Sequence, residues 1–316
     1  YFTKIDLDGN QLETNFLHRG GSNPKLFWYS GGVNKYPPFY ISGSNNYYFI
    51  GRYDNYGPNH DTIYPFYLNS IPITDDVYSD LIFNYFLFKF NSNMEIQWYK
   101  QLLDSVIGGR DIRVDFNDVA ADSDDNLYYV GKVQITYNDT GEYMPPGTMY
   151  LADGHTIELQ QHGNDIGFIM KIDSAGTIQW VKQMYRETDT TYGGYSEFYS
   201  IDIDQENNKL FVSGSGNAVN YESVNYGNYY SVFPNGDIFE SPCYDCSGTY
   251  DASYLLAMSK ETGELFWHSS PYTEGSDRFI GNIEYANDSL YVGLRWGTAL
   301  HFGDTVYMHD GSKYFT

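Results

Sequence analysis

Met170-Lys171-Ile172-Asp173-Ser174-Ala175-Gly176-Thr177-Ile178-Gln179-Trp180 decides the fold. Its apolar start stops at Asp-Ser-Ala-Gly and an apolar stretch resumes toward Trp, which reads as two β-strands joined by a tight turn. The arrangement recurs from Phe88-Lys89-Phe90 to Ile96-Gln97-Trp98, and again from Met258-Ser259-Lys260 to Leu265-Phe266-Trp267. A degenerate copy opens the chain as Thr3-Lys4-Ile5-Asp6-Leu7-Asp8-Gly9-Asn10, with Glu13 at the Trp position. Spacings are 85 residues from Glu13 to Trp98, 82 to Trp180 and 87 to Trp267.

A second motif keeps the same period: an Asp/Asn-rich turn followed by a strand that closes on Gly. Its copies are Asn45 to Gly51, Asp125 to Gly131, Asn208 to Gly214 and Asp288 to Gly293, with Gly-to-Gly spacings of 80, 83 and 79. A weaker third element aligns Thr148-Met149-Tyr150-Leu151-Ala152-Asp153-Gly154 with Thr305-Val306-Tyr307-Met308-His309-Asp310-Gly311, and more loosely with Tyr230 to Gly236. Each unit therefore reads strand, turn, strand, long excursion, strand, turn, strand. Four antiparallel strands per unit predict an all-β fold, a β-propeller of which about four blades are covered. The boundaries fall at 1–17 for a half blade, 27–105, 110–187 and 197–274 for blades, and 278–316 for a partial blade. Excursions at 52–80, 133–166 and 217–252 make the period long for a blade, and loops of that length are usually functional or partly ordered by their own contacts. Little helix is expected, because no stretch has a useful 3.6-residue amphipathic period. Lys313 to Thr316 repeats the position of Tyr1 to Lys4, which reads as a segment of a longer array; closure by the N-terminal strands is the alternative.

These residues resemble bacterial secreted β-propeller (SBBP-like) repeats, on His301-Phe302-Gly303-Asp304-Thr305-Val306, Asp310 to Thr316 and Asp165-Ile166-Gly167-Phe168-Ile169-Met170-Lys171. Glu261 to Trp267 is also similar to a repeat of quinoprotein-type propellers. The first resemblance implies a secreted or cell-surface protein, of the kind common in the Bacteroidota, with a role in adhesion or display. The second implies a dehydrogenase and rests on that copy alone.

Composition excludes several classes. With 41 acidic and 18 basic residues the formal charge is −23, which suits neither nucleic acid nor an anionic membrane. No apolar stretch is long enough for a membrane-spanning helix. No signal peptide or initiator Met is present, so the chain reads as mature or as a fragment. Of 316 residues, 34 are Tyr and 31 Gly, a composition of pleated, half-buried surfaces and frequent turns.

Candidate sites follow from residues the repeat does not need. Trp98, Trp180 and Trp267 stand at a repeated position and are expected in the core between units. Trp28 and Trp296 fall outside it and are the ligand-binding candidates, as stacking surfaces for a glycan or a protein. In the acidic turn Asp122-Ser123-Asp124-Asp125-Asn126, residues Asp122, Asp124 and Asn126 are the calcium candidates; a plain hairpin turn is the alternative, since the loop lacks the Gly and distal Glu of an EF-hand. No other cofactor is implied. Cys243 and Cys246 are the disulfide candidate, with a zinc half-site as the alternative; no second Cys pair exists to complete one. The seven His form no close metal pair, and nucleophile-elbow, phosphate-loop and dinucleotide signatures are lacking. Asp-Ser/Thr triplets at Asp61, Asp104, Asp173, Asp189, Asp288 and Asp304 resemble an O-glycosylation sequon of Bacteroidota envelope proteins. The expected function is a non-enzymatic surface or adhesion module, a glycoprotein with a protein or glycan partner. The alternative is a propeller enzyme acting on polysaccharide, a lyase or a glycosidase.

Overall fold

The computed structural model describes residues 2–5, 11–15, 17–19, 39–41, 46–54, 66–68, 71–72, 83–107, 112–135, 147–159, 165–184, 195–218, 229–232, 238–241, 250–269, 272–274, 278–296, 299–302 and 305–308. These residues form antiparallel β-strands and their turns, and the one helical element among them is the short 3₁₀ turn Ala152–Gly154.

The chain opens with the hairpin β1 (Phe2–Ile5) and β2 (Gln11–Asn15), followed by β3 (Leu17–Arg19). The first complete sheet contains β4 (Phe39–Ile41) and β5 (Tyr47–Asp54). The hairpin β6 (Phe66–Leu68) and β7 (Ile71–Pro72) interrupts it, and it resumes with β8 (Phe83–Phe90) and β9 (Ile96–Gln101). A linking strand, β10 (Leu103–Ile107), leads to the second unit. There β11 (Ile112–Ala121), β12 (Leu127–Ile135), β15 (Ile166–Ile172) and β16 (Ile178–Met184) enclose the hairpin β13 (Gly147–Leu151) and β14 (Thr156–Leu159). In the third unit β17 (Tyr195–Asp204), β18 (Lys209–Ala218), β21 (Tyr250–Ser259) and β22 (Leu265–Ser269) enclose β19 (Tyr229–Val232) and β20 (Ile238–Ser241). The linking strand β23 (Tyr272–Glu274) precedes β24 (Arg278–Ala286), β25 (Ser289–Trp296), and the hairpin β26 (Ala299–Phe302) and β27 (Thr305–Met308).

Three sheets thus have four strands in chain order, β4-β5-β8-β9, β11-β12-β15-β16 and β17-β18-β21-β22, and β24-β25 forms a two-stranded sheet. Each excursion contributes a hairpin, and three of these pair with a linking strand from the preceding unit as β3-β6-β7, β10-β13-β14 and β23-β26-β27. The weak third motif is therefore out of register. Thr305–Met308 is the second strand of its hairpin and corresponds to Thr156–Leu159, whereas Thr148 to Leu151 lies in the first. Short alternating strands around an Asp-Gly turn look alike in either order, and the linking strand settles which is which.

The core lies between consecutive sheets. On β12, Leu127, Tyr129 and Val133 pack toward the first sheet, while Tyr128 and Val130 pack toward the third. Both faces are buried, so these strands read as continuous apolar runs. The recurring Gly has a local cause. A bulge at Asn117 lies across from Gly131, where a Cβ would stand 1.9 Å from the Asp115 carbonyl oxygen; at Gly214 it would stand 2.5 Å from the Glu197 carbonyl oxygen.

The first strands of successive sheets are tied by side chains, at Asp118 and the corresponding Ser200 and again at Asp202 two residues on. Asp118 Oδ2 accepts from Ser200 Oγ at 2.7 Å and from the Ile201 amide at 3.1 Å. One unit on, Ser200 Oγ accepts from the Ile283 amide at 3.4 Å, and Asp202 Oδ2 accepts from the Tyr285 amide at 2.6 Å.

The repeated Trp residues have unequal fates. Trp180 is buried in the core between the second and third sheets. Trp98 is half-buried and donates its indole N–H to the Ser174 carbonyl at 3.2 Å, under the turn of the next unit. Gly176 fits that ring closely: a Cβ there would meet Trp98 at 3.0 Å, and one at Gly263 would meet Trp180 at 3.2 Å. Trp267, expected in the core, is instead 41% exposed, because no turn among the described residues covers it.

Candidate functional site

The candidate site is a charged cluster at the seam between the second and third sheets. Asp115 on β11 stands across from Lys132 on β12, one residue beyond Gly131, and Lys132 in turn pairs across to Gly167 on β15. This register places Asp165, just ahead of β15, beside the lysine. The Lys132 ammonium lies 2.8 Å from Asp165 Oδ2 and 3.3 Å from Glu197 Oε2 on β17 of the neighbouring sheet. Arg113 Nε donates to Asp115 Oδ1 at 3.1 Å. Asn117, the bulge residue, donates its amide to Glu197 Oε1 at 2.8 Å and to the Phe198 carbonyl at 2.6 Å.

Backbone contacts close the same seam. The Ser196 amide donates to the Asp165 carbonyl at 2.9 Å, and Ser196 Oγ accepts from the Gly167 amide at 2.8 Å while donating to the Met184 carbonyl at 2.6 Å.

Three carboxylates against one lysine and one arginine leave the cluster one negative charge in excess. Burial pushes the Asp165 carboxyl above the usual carboxylate range, against the pull of Lys132. Burial likewise raises Asp115, against Arg113 and Lys132. For Lys132, burial disfavours the ammonium, but Glu197 and Asp165 outweigh it and hold the group above its ordinary value. A partly buried ammonium beside Asp115 and Asp165, whose carboxyls hold their protons more tightly than usual, can exchange protons, or it can serve as a brace.

The repeat does not demand this cluster. At the Lys132 position the other copies carry Arg52, Ser215 and Leu294. Ser215 makes a neutral contact instead, its Oγ 2.6 Å from the Tyr199 hydroxyl. The cluster escaped the sequence reading because its three carboxylates are dispersed among 41 acidic residues. Comparison of the residue after each repeated Gly is the signal that points to it.

The calcium candidates Asp122, Asp124 and Asn126 share the β11–β12 turn. Asp122 Oδ1 accepts from the Asp124 and Asn126 amides, both at 3.0 Å, and Oδ2 accepts from Asn126 Nδ2 at 2.9 Å and the Tyr128 hydroxyl at 3.0 Å. Among the described residues no group of three or more His, Cys, Asp or Glu is arranged to hold a metal ion. Asp122→Ala is expected to cost about 2 kcal/mol, since it strips a buried phenol and two turn amides of their acceptor. Thermal unfolding in chelator checks this, and the loss should appear without added calcium.

Trp296 is the last residue of β25, where its backbone pairs with Arg278; its side chain lies outside the described residues. Trp28, Cys243 and Cys246 also lie outside them, as do the triplets beginning at Asp61 and Asp189. No helix among the described residues is long and apolar enough to cross a membrane. The chain matches no known protein-family model and no curated protein.

Proposed function

We propose that the sheets are blades of a β-propeller and that the protein is a secreted or surface-displayed, non-enzymatic interaction module whose partner is a protein or a glycan. One observation carries the reading. Each carboxylate of the partly buried cluster is spent on the protein itself: Asp165 on Lys132, Glu197 on Lys132 and Asn117, and Asp115 on Arg113. Such a cluster braces two sheets. Face-to-face packing of consecutive four-stranded sheets and the repeated tie between their first strands support the propeller. In this reading the stiff repeat presents its excursions and Trp28 and Trp296, and Tyr-rich surface supplies rigid amphipathic contact area.

The second reading, an enzyme acting on polysaccharide, is favoured by the raised carboxyls of Asp115 and Asp165 beside Lys132. Binding to a glycan array and to extracellular protein, compared between the wild type and Trp28→Ala and Trp296→Ala, tests the first. Retained binding by both variants would remove these residues from the site. Time-dependent depolymerisation of a polysaccharide, lost in a folded Glu197→Gln variant, would overturn the non-enzymatic reading in favour of the second.

A further inference from the structure

The groups around Lys132 are placed to react with one another. Lys132 stands across from Gly167 in the β12–β15 pair, and Asp165 lies two residues before Gly167, on the same face. Lys132 Nζ and Asp165 Oδ2 are 2.8 Å apart although the residues are separated by 33 positions. Glu197 Oε2, from the neighbouring sheet, stands 3.3 Å from the same nitrogen. An amine, an acyl group and a second carboxylate thus meet at one point, and positioning of this kind accelerates a reaction within one molecule.

The surroundings leave little room for water. The Lys132 and Asp165 side chains are only 16% and 14% exposed. Gly167 makes space for the buried Phe198 ring, which lies 3.1 Å from where a Gly167 Cβ would stand, on the face that Lys132 shares. Asn117 holds the other Glu197 oxygen at 2.8 Å, which leaves Oε2 toward Lys132. Asp115 is engaged by Arg113, so Asp165 is the acyl partner. The other complete sheets lack the combination. At the Lys132 and Asp165 positions the first carries Arg52 and Phe83, and the third carries Ser215 and Asp251.

We propose that Lys132 and Asp165 join in an intramolecular isopeptide bond, with Glu197 as the proton carrier. The Lys132 ammonium passes one proton to Asp165, giving an amine and a neutral carboxyl. The nitrogen lone pair attacks Asp165 Cγ and the N–C bond forms. Glu197 takes a proton from that nitrogen and returns it to the departing hydroxyl; the C–O bond breaks and water leaves. The ammonium and carboxylate become an amide and one water, Glu197 ends as it began, and nothing is oxidised or reduced. Burial, which raises the Asp165 carboxyl, favours the neutral acid. Glu197 and Asp165 hold the Lys132 ammonium above its ordinary value, so the ion pair is the form of the freshly folded chain and the bond follows slowly, once per molecule. The bond ties β12 to β15 at the ends of the 133–166 excursion and makes the brace covalent; the proposal rests on the bracing reading of the cluster.

Mass spectrometry of the full chain tests it. The chain is purified in denaturant, refolded and sampled over time, under reductant so that Cys243 and Cys246 do not alter the mass. The wild type should become lighter by one water. Folded Glu197→Gln should lose that water on the order of a hundredfold more slowly, and Lys132→Arg should keep full mass. Cyanogen bromide cuts after Met144, Met149 and Met170, so Lys132 and Asp165 fall in separate fragments, 95–144 and 150–170, which should stay joined. A wild type that keeps full mass, or loses water while the two fragments separate, overturns the proposal whether or not the variants fold. An equal rate in Glu197→Gln removes Glu197 from the step. The bracing reading is decided apart from the bond: an unlinked chain that depolymerises no polysaccharide loses the bond alone, and one that does so loses both.

Discussion

Gly131→Ala is expected to destabilise the protein by at least ~3 kcal/mol, a large effect for one methyl group. The added Cβ would lie 1.9 Å from the Asp115 carbonyl oxygen and 2.9 Å from its carbonyl carbon. Both are backbone atoms of the bulge, so no side-chain rotation relieves the clash. The bulge itself must move, and it carries Asn117 and Asp118, which reach into the third sheet. A fall in Tm of roughly 6–12 °C follows from the usual scaling for domains of somewhat smaller size. Gly51→Ala is the internal control. Its Cβ would meet the Phe49 ring at 3.2 Å and the Phe88 ring at 3.4 Å, so side chains can adjust and the loss should be clearly smaller. Equal losses at the two positions would show that backbone approach at the bulge is not the cause.

Lys132→Met is expected to cost about 3 kcal/mol near neutral pH, the low end of the range for removing one partner of a buried ion pair, because Lys132 and Asp165 are partly buried. It leaves Asp165 and Glu197 without their cation, and Asp115 with Arg113 alone. The pH dependence distinguishes this from a packing defect. Asp115 and Asp165 already have carboxyls held above the usual range by burial, so the folded state holds their protons more tightly than the unfolded state. Their charge therefore costs stability above the folded pKa, and that cost is relieved as pH falls through it. Without Lys132 the carboxyls rise further. The gap between variant and wild type should narrow from pH 8 toward pH 5, read by denaturant unfolding at each pH. The wild type draws the opposite benefit from Lys132 itself. Its ammonium has a raised folded pKa, so that contribution is full below the unfolded lysine value and is lost only as strongly alkaline pH passes the folded one. A gap independent of pH would point to packing.

Both predictions concern groups with different legibility in the sequence. Gly131 was visible as a recurring terminal Gly, but its reason was not. The bulge at Asn117 becomes evident only when the two strands are paired. The cluster shows the reverse. Lys132, Asp115, Asp165 and Glu197 are each ordinary in sequence, and the third sheet must dock on the second before Glu197 reaches Lys132 at 3.3 Å. The repeated Trp misled at Trp267, because a repeat position predicts burial only where the next unit's turn arrives to cover it.

By itself the sequence determined the strand order within each unit, the turns that join the strands and the period that relates the copies. Those features rest on local chemistry: alternation, Asp and Gly turns, and apolar runs long enough for a doubly buried strand. Only the tertiary structure decided which hairpin joins which linking strand, which Trp is covered, and which five of the many charges meet between sheets. These depend on contacts between residues about 80 positions apart, as in Asn117 to Glu197 and Ser200 to Asp118, whose geometry is set by sheet packing and leaves no local trace.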